Sequence, residues 1–124
     1  MNGGLRLPPG AADHLDMPEG TLKVGYVLPV PLGQPPEARI ALVEDESPAK
    51  TKVRIDVDET LRLHFVRQAP EGQPADVSVD ISPLKDATRL DIFGIWSPTM
   101  IGVHVVDRDN PKRNVRRELP AGSS

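Results

Sequence analysis

The sequence predicts an all-β protein, an antiparallel two-sheet β-sandwich of seven or eight short strands with little or no helix. Apolar and polar residues alternate at period two in several segments, 14 Pro and 10 Gly punctuate the 124 residues, and no segment keeps a long helical period. Successive side chains of a strand point to opposite faces, so this alternation builds sheets with one buried face. Seven or eight such strands with short loops are typical of a sandwich.

The clearest element is a hairpin within residues 88–107, whose strands are joined by a tight turn at Ser97-Pro98-Thr99. Both faces of its strands are largely apolar, which indicates a central position in a sheet. The hairpin contains Trp96, the only Trp of the chain. The alternation places this side chain in the core rather than on a binding surface.

The other elements follow from the same alternation and from turn-forming residues. Strands are predicted at residues 21–28, 38–43, 52–57, 61–66 and 76–81, with a last edge strand around Val115, Arg117 and Leu119. Pro residues in 29–36 indicate a loop or sheet edge, because Pro cannot donate a ladder hydrogen bond. Residues 44–50 and 58–60 are predicted turns. Residues 82–87 are predicted to form one short helical turn, with Ser82 as its cap and Pro83 at its first position.

The length favours a single domain with one core. We expect an extended N-terminal arm at 1–19, the sandwich at 20–110, and a basic edge strand or C-terminal tail at 111–124. The arm carries isolated apolar residues, Leu5, Leu7 and Leu15. A solvated arm is the preferred interpretation, and docking of these residues on the domain or on a partner is the alternative. The chain has no Cys, which excludes disulfides and thiolate metal sites.

The charge and hydropathy patterns bear on the partners and on the location of the protein. The formal net charge of −3 predicts no strong attraction to nucleic acid or to an anionic membrane. No apolar run approaches the roughly 18 residues of a transmembrane helix, and the N-terminus lacks the apolar stretch of a signal peptide. The expected location is cytoplasmic, or secreted if a leader has been removed.

The order of segments resembles a known superfamily. Gly20-Thr21-Leu22 opens the first strand, KVRIDVDETLRLHFV forms a hairpin, and VSVDISPLKDATRLDIFGIW and MIGVHVVDRDN follow. Over about residues 20–110 this is similar to the laminin-G-like and concanavalin A-like lectin-glucanase jelly rolls. The resemblance implies a jelly-roll-like sandwich with a buried Trp, and carbohydrate binding with or without calcium. The chain is short for that fold, and its turn Asp107-Arg108-Asp109-Asn110-Pro111 lacks the usual Gly.

One segment bears on catalysis. Arg54-Ile55-Asp56-Val57-Asp58-Glu59 partly resembles the Glu-x-Asp-x-x-Glu strand of concanavalin-like glycoside hydrolases, in which two carboxylates act as nucleophile and acid. Here Arg54 stands at the nucleophile position, and a guanidinium cannot attack an anomeric carbon. Glu59 falls in the predicted turn. No nucleophile elbow or phosphate-binding loop occurs either. We therefore expect a non-enzymatic protein. A glycoside hydrolase is the least favoured of the three functional hypotheses, of which the other two are given below.

Two groups of residues are candidates for metal binding. Asp107, Asp109 and Asn110 have the opening spacing of a calcium loop, but Pro and Lys follow where such a loop needs Gly and later a bidentate Glu. An ordinary turn is the preferred interpretation, with calcium bound between loops as the alternative. His64 and His104 lie on the less apolar faces of their strands and could be neighbours, although two His alone do not complete a zinc site.

A basic run near the C-terminus is the main candidate for partner binding; its members are Lys112, Arg113, Arg116 and Arg117. Such a run can contact phosphates, but the chain is net acidic and no aromatics interleave it. A solvated tail is the preferred interpretation, with an acidic protein partner as the next alternative and nucleic acid as the last. The leading hypothesis is a non-enzymatic module that binds a protein partner or self-associates through loops, sheet edges and extended termini. The alternative is a lectin-like module, which lacks an exposed aromatic platform because Trp96, Tyr26 and both Phe residues are predicted to face inward.

Overall fold

The computed structural model of the protein describes residues 15–27, 40–70 and 74–120. They form two antiparallel four-stranded sheets that pack face to face, so the predicted two-sheet β-sandwich is confirmed. The strands are β1 Gly20–Val27, β2 Ile40–Glu46, β3 Lys52–Val57, β4 Arg62–Gln68, β5 Ala75–Asp80, β6 Arg89–Ser97, β7 Met100–Asp107 and β8 Asn114–Pro120. No helix in these residues is long and apolar enough to cross a membrane.

The first sheet has the strand order β1-β6-β7-β8 and the second has the order β2-β3-β4-β5. The chain leaves the first sheet after β1, builds the whole second sheet as a meander, and returns to place β6 beside β1. Each sheet therefore pairs mainly consecutive strands, whereas a jelly roll interleaves two Greek keys. The hairpin β6–β7 occupies the two central positions of its sheet, as its two apolar faces predicted.

Strand β2 runs further than the sequence predicted. Glu44, Asp45 and Glu46 were expected in a charged turn, but they extend the strand to the end of its pairing with β3. The register places Glu44 opposite Arg54 and Glu46 opposite Lys52, and such cross-strand opposite charges stabilise antiparallel pairs. The predicted loop at 29–36 lies outside the described residues.

The short helical turn is a 3-10 helix at Ser82–Leu84. Ser82 is its first residue and not its cap, contrary to the prediction. The carboxylate of Asp80 accepts hydrogen bonds from the Ser82 N–H at 2.9 Å and from the Ser82 hydroxyl at 2.5 Å. Asp80, at the end of β5, thus performs the role that the sequence pattern assigned to Ser82.

The core between the sheets is aliphatic, with Phe65 completely buried at its centre. The Phe65 ring of β4 lies against Gly94 of β6, where an added Cβ would be only 2.5–2.8 Å from three ring carbons. The Trp96 ring lies 6.4 Å away, centroid to centroid, tilted against Phe65. Gly94 thus provides the space that allows a large ring from one sheet to reach the backbone of the other.

The segment before β1 is anchored to the sandwich. Leu15 is completely buried in the core, so this leucine docks on the domain itself. Arg67 donates to the Leu15 carbonyl at 2.6 Å, while the Trp96 indole N–H donates to the Met17 carbonyl at 2.9 Å. The other apolar residues of the predicted arm, Leu5 and Leu7, lie outside the described residues.

Asp16 fastens the same segment to the turn between β2 and β3. Its carboxylate accepts hydrogen bonds from the hydroxyls of Ser47 and Thr51, each at 2.6 Å. These bonds lower the pKa of Asp16 below its ordinary value. The N-terminal segment therefore joins both sheets at the Trp96 end of the sandwich.

We expect Gly94→Ala to lower the free energy of unfolding by about 1–3 kcal/mol, because the new methyl group overlaps the Phe65 ring in a filled core. Gly102→Ala is the matched control, since its methyl would meet the flexible Glu118 side chain on the outer face of the same sheet. Urea unfolding followed by Trp96 fluorescence measures both. Equal stability of the two variants would contradict the Phe65–Gly94 packing.

Candidate functional site: edge strand and charged face

Strand β8 lies at the edge of the first sheet and is its most exposed strand. Within the described residues it pairs only with β7. Five of its seven residues are exposed: Asn114, Arg116, Arg117, Glu118 and Pro120. The other two, Val115 and Leu119, pack on the core. Within the part of the chain that the structure describes, one long side of β8 is therefore open, with no strand paired to it.

The register shows which backbone groups of β8 point to that open side. The Asp107 N–H donates to the Arg113 carbonyl at 3.0 Å, at the point where the unbroken β7–β8 ladder begins. In an antiparallel pair, alternate residues exchange bonds with the partner strand. Val115, Arg117 and Leu119 consequently bond to β7. The residues between them, Asn114, Arg116 and Glu118, direct their N–H and carbonyl groups away from the sheet.

The predicted basic run is divided among three surroundings. Arg113 donates to the Pro83 carbonyl at 2.5 Å, to Asp107 at 3.3 Å and to Asp86, so its charge is used within the fold. The hydrogen bond from Arg113 lowers the pKa of Asp86. Lys112 is exposed in the preceding turn. Lys112 is therefore a solvent-exposed cation, Arg113 supports the turn before β8, and Arg116 and Arg117 belong to the edge strand itself.

Arg116 and Arg117 point to opposite faces of β8. Arg116 forms an ion pair with Glu118 on the outer face of the sheet. Arg117 reaches across the side of the sandwich, where its guanidinium lies 3.4 Å from the Ser78 carbonyl of β5. Edge strand β8 therefore presents alternating charges on its outer face rather than one cationic patch.

The carboxylates predicted as weak calcium ligands serve the turn between β7 and β8. Asp107 is buried and accepts the Asp109 N–H at 3.0 Å as well as the Arg113 guanidinium. Asp109 forms an ion pair with Arg89 at 2.9 Å, and the Asn110 N–H donates to the Asp107 carbonyl. Among the described residues, no group of three or more His, Asp or Glu could hold a metal ion.

A second surface, which we name the charged face, is formed by the outward side chains of β2–β5. The register aligns Glu44, Arg54, Val66 and Asp76 in one row across the four strands. At one end of this face lies an open pocket of about 560 Å³. Its charged lining residues are Glu44, Asp45, Glu46, Asp76, Lys52 and Arg54. The pocket therefore offers more carboxylates than cations.

Beside this row, His64 lies between two carboxylates. Its Nε2 is 2.7 Å from Asp58 Oδ2, and its Nδ1 is 3.1 Å from Asp76 Oδ1. A carboxylate can only accept, so both ring nitrogens must carry protons for both bonds to form. The geometry therefore favours the imidazolium cation. Because both nitrogens are engaged, His64 organises the charged face and is not a free general base.

Asp58 is held in place by the turn between β3 and β4. Its Oδ1 accepts the Thr60 N–H at 2.8 Å, the Thr60 hydroxyl at 2.6 Å and the Arg62 N–H at 3.1 Å. Burial raises the pKa of Asp58, but the hydrogen bonds from Thr60, His64 and Arg62 lower it by more, so the net shift is strongly downward. Asp58 stays ionised and fixes the His64 ring.

The strand compared with glycoside hydrolases has a different use here. Arg54 Nε lies 2.8 Å from Asp56 Oδ2, so the residue at the nucleophile position is an ion-pair partner. Asp56 lies on the outward side of β3 but is only 1% exposed, which its position on a charged face did not predict. Its pairing with the neighbouring guanidinium permits that burial. Glu59 is exposed in the turn, as predicted.

Two further predictions about ring side chains are corrected. His64 and His104 are not neighbours, because they lie on the outer faces of different sheets; His104 packs against Phe93 with ring centroids 5.8 Å apart. Phe93 does not face inward but lies half-buried on that outer face, with Lys23 5.8 Å from its ring centroid. Trp96 is buried as predicted, and it cannot act as a ligand platform.

Neither the His64 cluster nor the pairing of Arg116 with Glu118 was predicted from the sequence. A signal for both was present in the sequence. Asp58 closes a predicted hairpin six residues before His64, and Glu118 follows Arg116 at the two-residue spacing of one strand face. Asp76 carried no such signal, because only the register of β4 with β5 brings it to His64.

No protein-family model, curated protein or solved structure matches this chain. The geometry of β8 and of the charged face is therefore the basis for a functional hypothesis.

We expect the pKa of His64 to lie above its ordinary value of 6.5. Burial lowers this pKa, but the hydrogen bonds to Asp58 and Asp76, together with the negative charges of Asp76 and Asp56, raise it by more. Because the folded-state pKa is raised, His64 contributes stability that is fully present below about pH 6.5 and is lost as the pH rises through the folded-state pKa. NMR titration of the ring measures the shift.

The matched pair of variants for this titration is Asp76→Asn and Asp80→Asn. Asp76→Asn removes one of the two carboxylates at His64. It should lower the pKa of His64 and reduce the stability that His64 contributes at acidic pH. Asp80 is on the same strand but bonds to Ser82, so Asp80→Asn should leave the His64 titration unchanged. A His64 pKa that does not respond to Asp76→Asn would refute the arrangement.

Proposed function

We propose that this chain is a non-enzymatic binding and assembly module that takes up an extended strand of a protein partner at edge strand β8. The observation that carries the proposal is the side of β8 with which no described strand pairs, where the backbone groups of Asn114, Arg116 and Glu118 point away from β7. A strand added at a sheet edge satisfies such groups with main-chain hydrogen bonds. Side-chain pairs between the two strands then provide specificity.

The side chains of β8 support a selective interaction. Charged residues and Pro on an edge strand discourage unselective pairing between proteins. Arg116, Arg117 and Glu118 would oppose a partner strand with the wrong charges and attract one with complementary charges. Pro120 has no N–H, and it ends the run of outward donors. The edge is thus suited to an extended partner of matched charge rather than to any exposed strand.

The test is binding of a synthetic extended peptide to the ¹⁵N-labelled chain. In this peptide Val alternates with charged residues that are Glu and Lys in turn, so that a Glu can meet Arg116 while a Lys meets Glu118. We expect shift changes and slower amide exchange at Asn114, Arg116 and Glu118. Glu118→Pro removes an outward N–H without breaking the β7 ladder and should weaken binding by about tenfold or more, as the loss of a hydrogen bond and the added ring predict. Glu118→Ala, the control, keeps the N–H and should still bind.

Absence of any effect of this peptide on β8, together with no self-association of the chain, would contradict the proposed function. Equal binding by Glu118→Pro and Glu118→Ala would show that the peptide binds elsewhere. Melting temperatures of both variants establish that the fold is retained.

A carbohydrate-binding module is the second candidate, favoured by the pocket on the charged face. Its carboxylates and cations provide acceptors and donors for hydroxyl groups, and its volume suits a small polar ligand. No aromatic ring lies among the described residues that line it, so stacking would not contribute. The resemblance to lectin-like jelly rolls stays a prediction.

A glycan screen with and without calcium tests this candidate. We expect any glycan that binds to lose affinity in Glu44→Ala, which changes the pocket, and to keep it in Glu118→Ala, which changes β8. A screen without hits, or a hit that Glu44→Ala does not affect, would remove the pocket as a sugar site.

A further inference from the structure

We propose that the strand taken up at β8 is β8 of a second copy of this chain, paired antiparallel about a twofold axis at Arg117. This inference rests on the proposed function and specifies its partner. The two four-stranded first sheets would join into one continuous sheet of eight strands. The interface is isologous, since each copy contributes the same strand.

The sequence of β8 is complementary to itself in this register. Arg116 of each copy lies opposite Glu118 of the other, which creates an opposite-charge pair on each side of the axis. The same register places Val115 opposite Leu119 on the inner face, so the two core-facing residues of β8 also meet. Asn114 lies opposite Pro120. Apolar residues thus meet apolar ones, and each arginine at 116 meets a carboxylate.

The backbone groups fit the same register. Arg116 and Glu118 both direct their N–H and carbonyl groups outward, so they exchange two hydrogen bonds with each other across the interface. Asn114 donates its N–H to the Pro120 carbonyl of the second copy. Pro120 has no N–H to be satisfied in return, so the missing donor falls at the end of the new ladder and leaves no gap within it.

Neighbouring registers are less favourable. A slip of one residue would place the outer face of one strand on the inner side of the other. A slip of two residues in either direction sets Arg116 opposite itself or Glu118 opposite itself and loses both opposite-charge pairs. The twofold register does bring the two Arg117 residues together at the axis. Each guanidinium, however, reaches towards the Ser78 carbonyl of its own β5.

The side chains are already arranged for this exchange. Arg116 and Glu118 form an ion pair within one strand, so both side chains lie on the outer face within reach of the neighbouring strand position. Both are exposed, with relative side-chain exposures of 54% and 40%. In the dimer each exchanges its intrachain partner for the equivalent group of the other copy, and both side chains stay on the outer face of the joined sheet.

A charge-swap series tested by sedimentation equilibrium on the full chain decides the matter. We expect the unchanged chain to show a concentration-dependent dimer. R116E and E118R should each weaken self-association by about tenfold or more, because each faces its own copy with like charges. An equimolar mixture of R116E with E118R should form a heterodimer, since every position then meets the opposite charge. R116E/E118R should restore the homodimer.

The mixture separates pairing from altered stability, because both single variants lose the same intrachain ion pair. Melting temperatures show whether each variant folds, and R116E/E118R provides the test if one single variant does not. A chain that stays monomeric up to millimolar concentration overturns the dimer, as does a mixture that associates no better than its components. If the peptide with alternating Glu and Lys between its Val residues still binds β8 in that case, the proposed function stands and only the second copy is wrong as the partner.

Discussion

The packing of the Phe65 ring against the bare backbone of Gly94 determines how the two sheets lie on each other. A large ring from β4 contacts the centre of β6, which is possible only because position 94 has no side chain. Trp96 packs beside this contact, two residues along β6. The indole N–H and the Arg67 guanidinium then hold the carbonyls of the segment before β1. The first sheet, the second sheet and the N-terminal segment therefore meet around one aromatic pair.

Because the core is apolar, most of the charged and hydrogen-bonding side chains lie on the outer faces of the two sheets. The core uses the ring of Trp96 and most of the large apolar residues, while the outward faces carry charged side chains joined by short ion pairs. On the charged face, those pairs enclose the His64 ring and line a polar pocket. At β8, by contrast, side-chain ion pairs accompany a row of backbone groups that the sheet does not use. That difference makes β8 the stronger candidate for binding another chain.

The sequence predicted the sandwich because alternation, turns and the twice-apolar hairpin each act within a few residues. Strand ends were less predictable where long-range pairing decides them, as at Glu46, which stays in β2 because Lys52 faces it. The burial of Asp56 and the contact of Asp76 with His64 likewise depend on register between strands. Leu15 could not be assigned to the core from its neighbours, because its binding site is formed by residues distant in sequence.

Strand β8 was predicted as a basic edge strand, but the register of β7 with β8 shows that its cations do not form one surface. Four cations close in sequence suggested a single patch, whereas alternation divides them between two faces and Arg113 turns back to Asp86 and Asp107. Glu118 then becomes as important as the arginines. The complementarity of β8 with a second copy of itself can be recognised only when the strand boundaries and the outward-facing residues are known.

Residue-resolved amide exchange of the full chain as a function of concentration tests the central claim most directly. In dilute solution we expect slow exchange at Val115, Arg117 and Leu119 and fast exchange at Asn114, Arg116 and Glu118. On concentration, or on addition of a matched strand, the fast amides should become protected. Fast exchange at these three amides under every condition, or protection already present in dilute solution, would contradict the account of β8 as an open binding edge.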